Sequence, residues 1–164
     1  MKSSDKMLIG IVVAIVLLVV VTLVVTVIQP PADYQSEDTP QGIVHNYLLA
    51  LYQEDFERAY GYLSPSIRCY PSSVTEFTSD VRYNSGSFGR YDEGGSWAVE
   101  ETKVTGKMAT VEVSESRFRG RGLFESGQSF DRFKVELQLE QEGWRIIHAD
   151  RYWSRWRWTS DNCE

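Results

Sequence analysis

The stretch HADRYWSRWRW, residues 148–158, brings a histidine, an aspartate, arginines and tryptophans together near the C-terminus. On an extended strand, residues two apart project from the same side. Without a bulge, His148 and Asp150 therefore share a side with Trp144, Ile146, Tyr152 and Trp156. A histidine beside a carboxylate among aromatic walls has the chemistry to pass a proton in a partly dry pocket, as an isomerase or dehydratase requires. His148 and Asp150 are accordingly the candidate catalytic pair, with Trp144, Ile146, Tyr152 and Trp156 as candidate pocket lining. Two titratable groups do not by themselves complete a catalytic constellation. A buried histidine satisfied by a nearby aspartate is the plainer account, and a single bulge would turn the pair outward.

The opposite side of the same strand carries Arg145, Arg151, Arg155 and Arg157, while Arg117, Arg119 and Arg121 cluster at a hairpin. Guanidinium groups in a row can grip phosphates or carboxylates through forked hydrogen bonds, so anionic lipid or an acidic wall polymer would be the ligand. Against this, Glu136, Gln138 and Glu140 alternate outward on a neighbouring strand, where cross-strand ion pairs would absorb the charge. Trp153 could take an arginine by stacking.

Other chemistries find no support. There is no phosphate-binding glycine loop, zinc spacing, calcium loop or G-x-S-x-G, so neither a cofactor nor a metal is expected. With 17 Lys and Arg against 23 Asp and Glu, the net charge is -6, which argues against non-specific nucleic-acid binding. Cys69 and Cys163 are too few for a disulfide scaffold. They either pair with each other or stay as two thiols, and spacing alone does not decide between these. His45 falls beside the apolar stripe of a helix and reads as a boundary residue without a role.

The elements that position these residues follow from hydrophobic periodicity. Met7 to Ile28 is uncharged and long enough to reach across a ~30 Å hydrocarbon core, so it reads as a transmembrane helix retained as a signal anchor. Lys2 and Lys6 precede it and no basic residue follows before Arg58, which puts residues 1–6 in the cytoplasm and the remainder outside a cell membrane. Residues 29–38 form an acidic, proline-containing stalk. Thr39 and Pro40 open a helix with Val44, Tyr47, Leu48 and Leu51 on one face. Asp55 caps a second helix, FERAYGYL, and Ser73 with Glu76 opens a third, with Val74, Phe77 and Val81 on its inner stripe.

After the glycine-rich NSGSFGRYDEGGS the period changes to two. Ala109, Val111 and Val113 share one face of one strand; Phe133, Val135, Leu137 and Leu139 share one face of another. Trp97 to Val104 is a weaker strand, and RGRGLFESGQ is a long tip between the clearest two. The fold class is therefore α+β: after the N-terminal helix, three short helices pack on a curved, mainly antiparallel sheet spanning residues 39–158, with a tail at 159–164.

LLALYQED ending the first of these helices, DFERAYGYLSPS opening the second, a third helix, and a sheet closing on GWRII together resemble the nuclear transport factor 2-like superfamily. The resemblance is greatest to membrane-anchored bacterial ectodomains of that superfamily without an assigned function. It implies a cone, a bent sheet around helices with a pocket at the open end, and it leaves activity open because this architecture hosts both enzymes and non-catalytic modules. The expected function is a non-catalytic binding or assembly module at the cell envelope, with a protein partner, a small ligand in the cone or a second copy of the chain as its counterpart. The alternatives are a small pocket enzyme using His148 and Asp150, and an anion binder using the arginine row.

Overall fold

The computed structural model describes the backbone of residues 3–28, 33–83, 96–120 and 126–151, and within these spans the side chains of residues 9–22, 33–83, 96–116 and 129–151. The chain divides into two units, Met1–Asp33 and Tyr34–Glu164. The first is built on one helix, α1 (Ser3–Ile28). Its described side chains cover residues 9–22, about 21 Å of helix at ~1.5 Å per residue, against a hydrocarbon core of ~30 Å. Among the described residues no helix is long and apolar enough to cross a membrane. This corrects the expectation of a single-pass chain anchored through residues 7–28: that placement, with its cytoplasmic and outer sides, is not supported.

The second unit is α+β, with α2 (Pro40–Tyr52), α3 (Phe56–Gly61) and α4 (Val74–Tyr83) preceding β1 (Ser96–Thr105), β2 (Met108–Gly120), β3 (Ser126–Glu140) and β4 (Gly143–Ala149). Each helix start has a local chemical cause. Thr39 caps α2, its hydroxyl accepting from the Gly42 amide at 3.2 Å, with Pro40 already holding a helical φ. Asp55 does the same for α3 at the Arg58 amide, 3.1 Å away. At α4 the Ser73 hydroxyl accepts from the Glu76 amide at 3.2 Å, and the Glu76 carboxylate reaches back to the Ser72 amide at 2.8 Å. The returning arm of this capping box thus falls one residue earlier than its usual partner.

The strands form one antiparallel meander in the order β1-β2-β3-β4. Gly106, with φ of 61°, supplies the left-handed backbone of the tight turn between β1 and β2. β2 and β3 pair without interruption from Met108↔Gln138 to Gly120↔Ser126, so the tip expected over residues 119–128 narrows to residues 121–125, which lie outside the described residues. The inner face presents Ala109, Val111 and Val113 from β2, Phe133, Val135 and Leu137 from β3, and Trp144 and Ile146 from β4. Against it lies the stripe of α2, with Val44, Tyr47, Leu48 and Leu51 each at most 4% exposed. Burial pushes the Tyr47 hydroxyl well above its ordinary pKa. Ile146 is tied at both main-chain groups: its amide donates to the Tyr62 carbonyl at 2.9 Å and its carbonyl accepts from the Ser64 amide at 2.8 Å.

Tyr34 to Asp38, expected as part of a stalk, are bound to the helices. Buried Asn46 accepts from the Gln35 amide at 2.7 Å and donates to the Gln35 carbonyl at 2.9 Å, satisfying both ends of its own amide. The Arg58 guanidinium lies 3.4 Å from the Tyr34 ring centre, and Glu37 accepts from the Tyr62 hydroxyl at 2.7 Å and from Arg58 at 3.1 Å. Gly42 makes this approach feasible, since a Cβ there would overlap the Ser36 carbonyl oxygen.

Two measurements test this packing. Ile146→Ala removes a fully buried side chain and is expected to cost roughly 2–5 kcal/mol in urea unfolding. The hydrogen bond from Tyr62, followed by Arg58, holds the Glu37 carboxyl below its ordinary 4.5. A depressed folded-state pKa contributes stability that is present above 4.5 and is lost as pH falls through the folded value. Glu37→Gln should therefore be less stable than the parent at pH 7, with the gap closing in acid; a gap independent of pH would remove the ion from the account.

Candidate functional site

β4 determines where the candidate residues fall. Its pairing with β3 runs Leu139↔Trp144, Gln138↔Arg145 and Leu137↔Ile146, then resumes at Glu136↔His148 and Val135↔Ala149. Ile147 is the extra residue of a bulge, and beyond it the two faces exchange. Trp144 and Ile146 point inward before the bulge; Ala149, 1% exposed, points inward after it. His148 and Asp150 consequently lie on the outer face, correcting the inward placement expected of an uninterrupted strand. The two remain neighbours, with His148 Nε2 3.5 Å from an Asp150 oxygen and side chains 32% and 55% exposed. Asp150 is further occupied by β3, its carboxylate accepting from the Lys134 amide at 3.0 Å and its own amide donating to the Lys134 carbonyl at 3.1 Å.

The same exchange brings Arg151 inward, off the outer row in which it was expected. Its guanidinium donates to Glu115 at 3.1 Å and to Asp131 at 3.3 Å. Glu115 and Asp131 are direct cross-strand partners on β2 and β3, in line with the buried Val113–Phe133 pair. Glu115 is 5% exposed, so this carboxylate is removed from water and compensated by a cation arriving from the bend just past β4. On the same face the Ser129 hydroxyl is buried without a hydrogen-bond partner.

Of the other candidates, Trp144 (8% exposed) and Ile146 (0%) are core residues. Arg145 lies 3.5 Å from Glu142 and donates to the Trp144 carbonyl at 3.3 Å. Tyr152, Arg155, Trp156, Arg157 and Cys163 lie outside the described residues, as do the side chains of Arg117, Arg119 and Arg121. Cys69 is 2% exposed and disulfide-bonded. His45, read as having no role, stacks edge-on to Trp97 with ring centres 4.9 Å apart and has its Nδ1 3.2 Å from the Gln35 amide group. A cleft of about 650 Å³ is lined by Val74, Thr75, Thr78, Ser79, Arg82 and Tyr83, and so belongs to α4; neither His148 nor Asp150 lines it. Among the described residues no group of three or more His, Cys, Asp or Glu could hold a metal ion.

Glu115 and Asp131 were missed by the reading of the sequence, although the signal for one was present. The alternation that puts Ala109, Val111 and Val113 inward continues to Glu115, a carboxylate on an apolar face. The Arg151 that answers it became inward only through the bulge.

No protein-family model matches the chain, and no curated protein matches it. Solved structures do. A SEC-C motif containing protein from Rhodopseudomonas palustris is 14% identical over 70% of this chain and 80% of its own, with a TM-score of 0.50. An NTF-2 like protein of unknown function from Shewanella oneidensis MR-1 is 12% identical over 65% and 90%, with a TM-score of 0.43. A protein of unknown function with a cystatin-like fold from Nostoc punctiforme PCC 73102 is 14% identical over 65% and 82%, with a TM-score of 0.42. At these identities the likeness concerns fold alone.

The ion triad gives the site its test. Arg151→Met should destabilise by about 2–3 kcal/mol, below the ~3–5 of a fully buried pair because the arginine is about a third exposed. Adding Glu115→Leu in the same chain should restore part of the loss. If Arg151→Met is neutral while Glu115→Leu alone is costly, the pair is not coupled as the geometry indicates.

Proposed function

We propose that the chain is a non-catalytic binding or assembly module of nuclear transport factor 2-like architecture, acting through its surface. The element order supports that architecture: three short helices precede an antiparallel meander, and α2 covers one face of it. The bulge at Ile147 carries the functional reading. It sets His148 and Asp150 on the water-exposed face of the sheet, where a proton in transit would meet solvent. Inside, Tyr47 and Leu48 of α2 are fully buried in the core that the inner sheet face shares.

The charges of the described surface point the same way. Arg151 is held by Glu115 and Asp131, Arg145 by Glu142, and Arg132 lies 3.7 Å from Glu112. Arginines compensated within the chain favour registry with a protein surface of mixed charge over capture of a polyanion. The counterpart in this reading is a protein, with a second copy of the chain as one outcome of the test.

Native mass spectrometry of the full chain tests the reading. The polypeptide mass alone, or a whole multiple of it, is expected. Extra mass that survives gentle ionisation and leaves on denaturation would replace a surface module with a filled pocket. A loss of His148→Ala or Asp150→Asn activity towards a small-molecule substrate would restore the enzyme alternative.

A further inference from the structure

The two edges of the sheet are finished differently. β4 is covered at Ile146, whose main chain is bonded to Tyr62 and Ser64 around the parallel bridge at Leu63. β1 pairs with β2 on one side, and among the described residues no strand lies along its other side. An edge of ten residues offers its outward amides and carbonyls to any extended chain unless its side chains restrict the choice. On β1 they do. The register passes from Val99↔Val113 to Thr102↔Val111, so Glu100 and Glu101 together oppose the single Glu112 in a bulge. Glu100, Glu101 and Lys103 are exposed, and Val104 is 52% exposed. Glu100 accepts from the Ser114 hydroxyl at 2.6 Å. Among the described residues no ion pair within the chain engages Glu101 or Lys103.

On the reading of the chain as a protein-binding module, we propose that the β1 edge binds the same edge of a second copy, antiparallel about a two-fold axis at Thr102. With Thr102 opposite its own copy, Lys103 of each chain stands against Glu100 and Glu101 of the other, and Val104 beyond it stands against Val99. The bulge keeps the two faces in step. Val99, Thr102 and Val104 align with the inward Val113, Val111 and Ala109 of β2, so the valines meet on the inner side while each lysine meets the two carboxylates of the bulge. In an uninterrupted strand Val104 would oppose Glu100 instead. Opposite charges across an antiparallel pair attract and like charges repel, and the two-fold axis makes each contact twice. The bulge and the lysine thus turn an open edge into one that accepts a strand of its own pattern.

Sedimentation of the full chain over a concentration series tests the pairing. The parent should form a dimer that dissociates on dilution. Lys103→Glu sets acid against acid, and Glu100→Lys with Glu101→Lys in one chain sets base against base; each should raise the dissociation constant at least about tenfold. Mixed, the two variants should form a dimer containing one of each, because opposite charges again face each other at both contacts, and that rescue also shows both variants folded. A monomeric parent, a dimer indifferent to both variants, or a mixture that fails to pair overturns the edge interface. The module reading fails on its own test, retained extra mass, whatever the edge does.

Discussion

The stripe of α2 and the inner face of the sheet each need the other. A helix of this length has little stability alone in water, and an antiparallel sheet with an apolar face must cover it. Their contact places Ile43, Val44, Tyr47, Leu48 and Leu51 against Val111, Val113, Val135, Leu137 and Ile146, all nearly or fully withdrawn from water. The fixing of Ile146 between Tyr62 and Ser64 locks β4 into that layer from the helical side, through an isolated parallel bridge with Leu63. With Ile146 tied at both main-chain groups and Ala149 buried, the strand between them has one residue too many for alternation, and the bulge at Ile147 takes it up.

From this local surplus comes the distribution of chemistry over the two faces. His148 and Asp150 go to water, and Arg151 goes to the carboxylates of Glu115 and Asp131. The guanidinium of Arg151 compensates the buried Glu115 carboxylate, so strand register and ion pairing support the same arrangement. The capped helices and the paired strands thus determine where the reactive side chains lie, and those side chains in turn close the end of the sheet.

Legibility in the sequence followed physical range. Caps at Thr39, Asp55 and Ser73, the stripe of α2 and the alternation of β2 and β3 are set by residues within a few positions of one another, and all were readable. The weaker strand over Trp97–Val104 was readable too, and its irregularity between Val99 and Thr102 was not. Ile146 was readable as an inward residue, but the face of His148 depended on the bulge at Ile147, which alternation along the strand does not record. Residues Tyr34 to Asp38 misled for a related reason. Their acidic, polar composition suits a solvated linker, but Asn46 and Arg58 hold them by main-chain and ring contacts that composition does not record.

The bond between Asn46 and residue 35 engages an amide and a carbonyl that every residue other than proline possesses in the same form. Recognition there is indifferent to the side chain it holds. Any residue that keeps its amide proton could supply those two bonds at position 35, where the Gln35 side chain adds its own contact with His45, whereas position 42 must lack a Cβ and position 46 must offer an acceptor and a donor a peptide's width apart. The entry to this fold thus rests on two inconspicuous uncharged residues, Gly42 and Asn46, beside the charged Glu37 that Tyr62 and Arg58 hold.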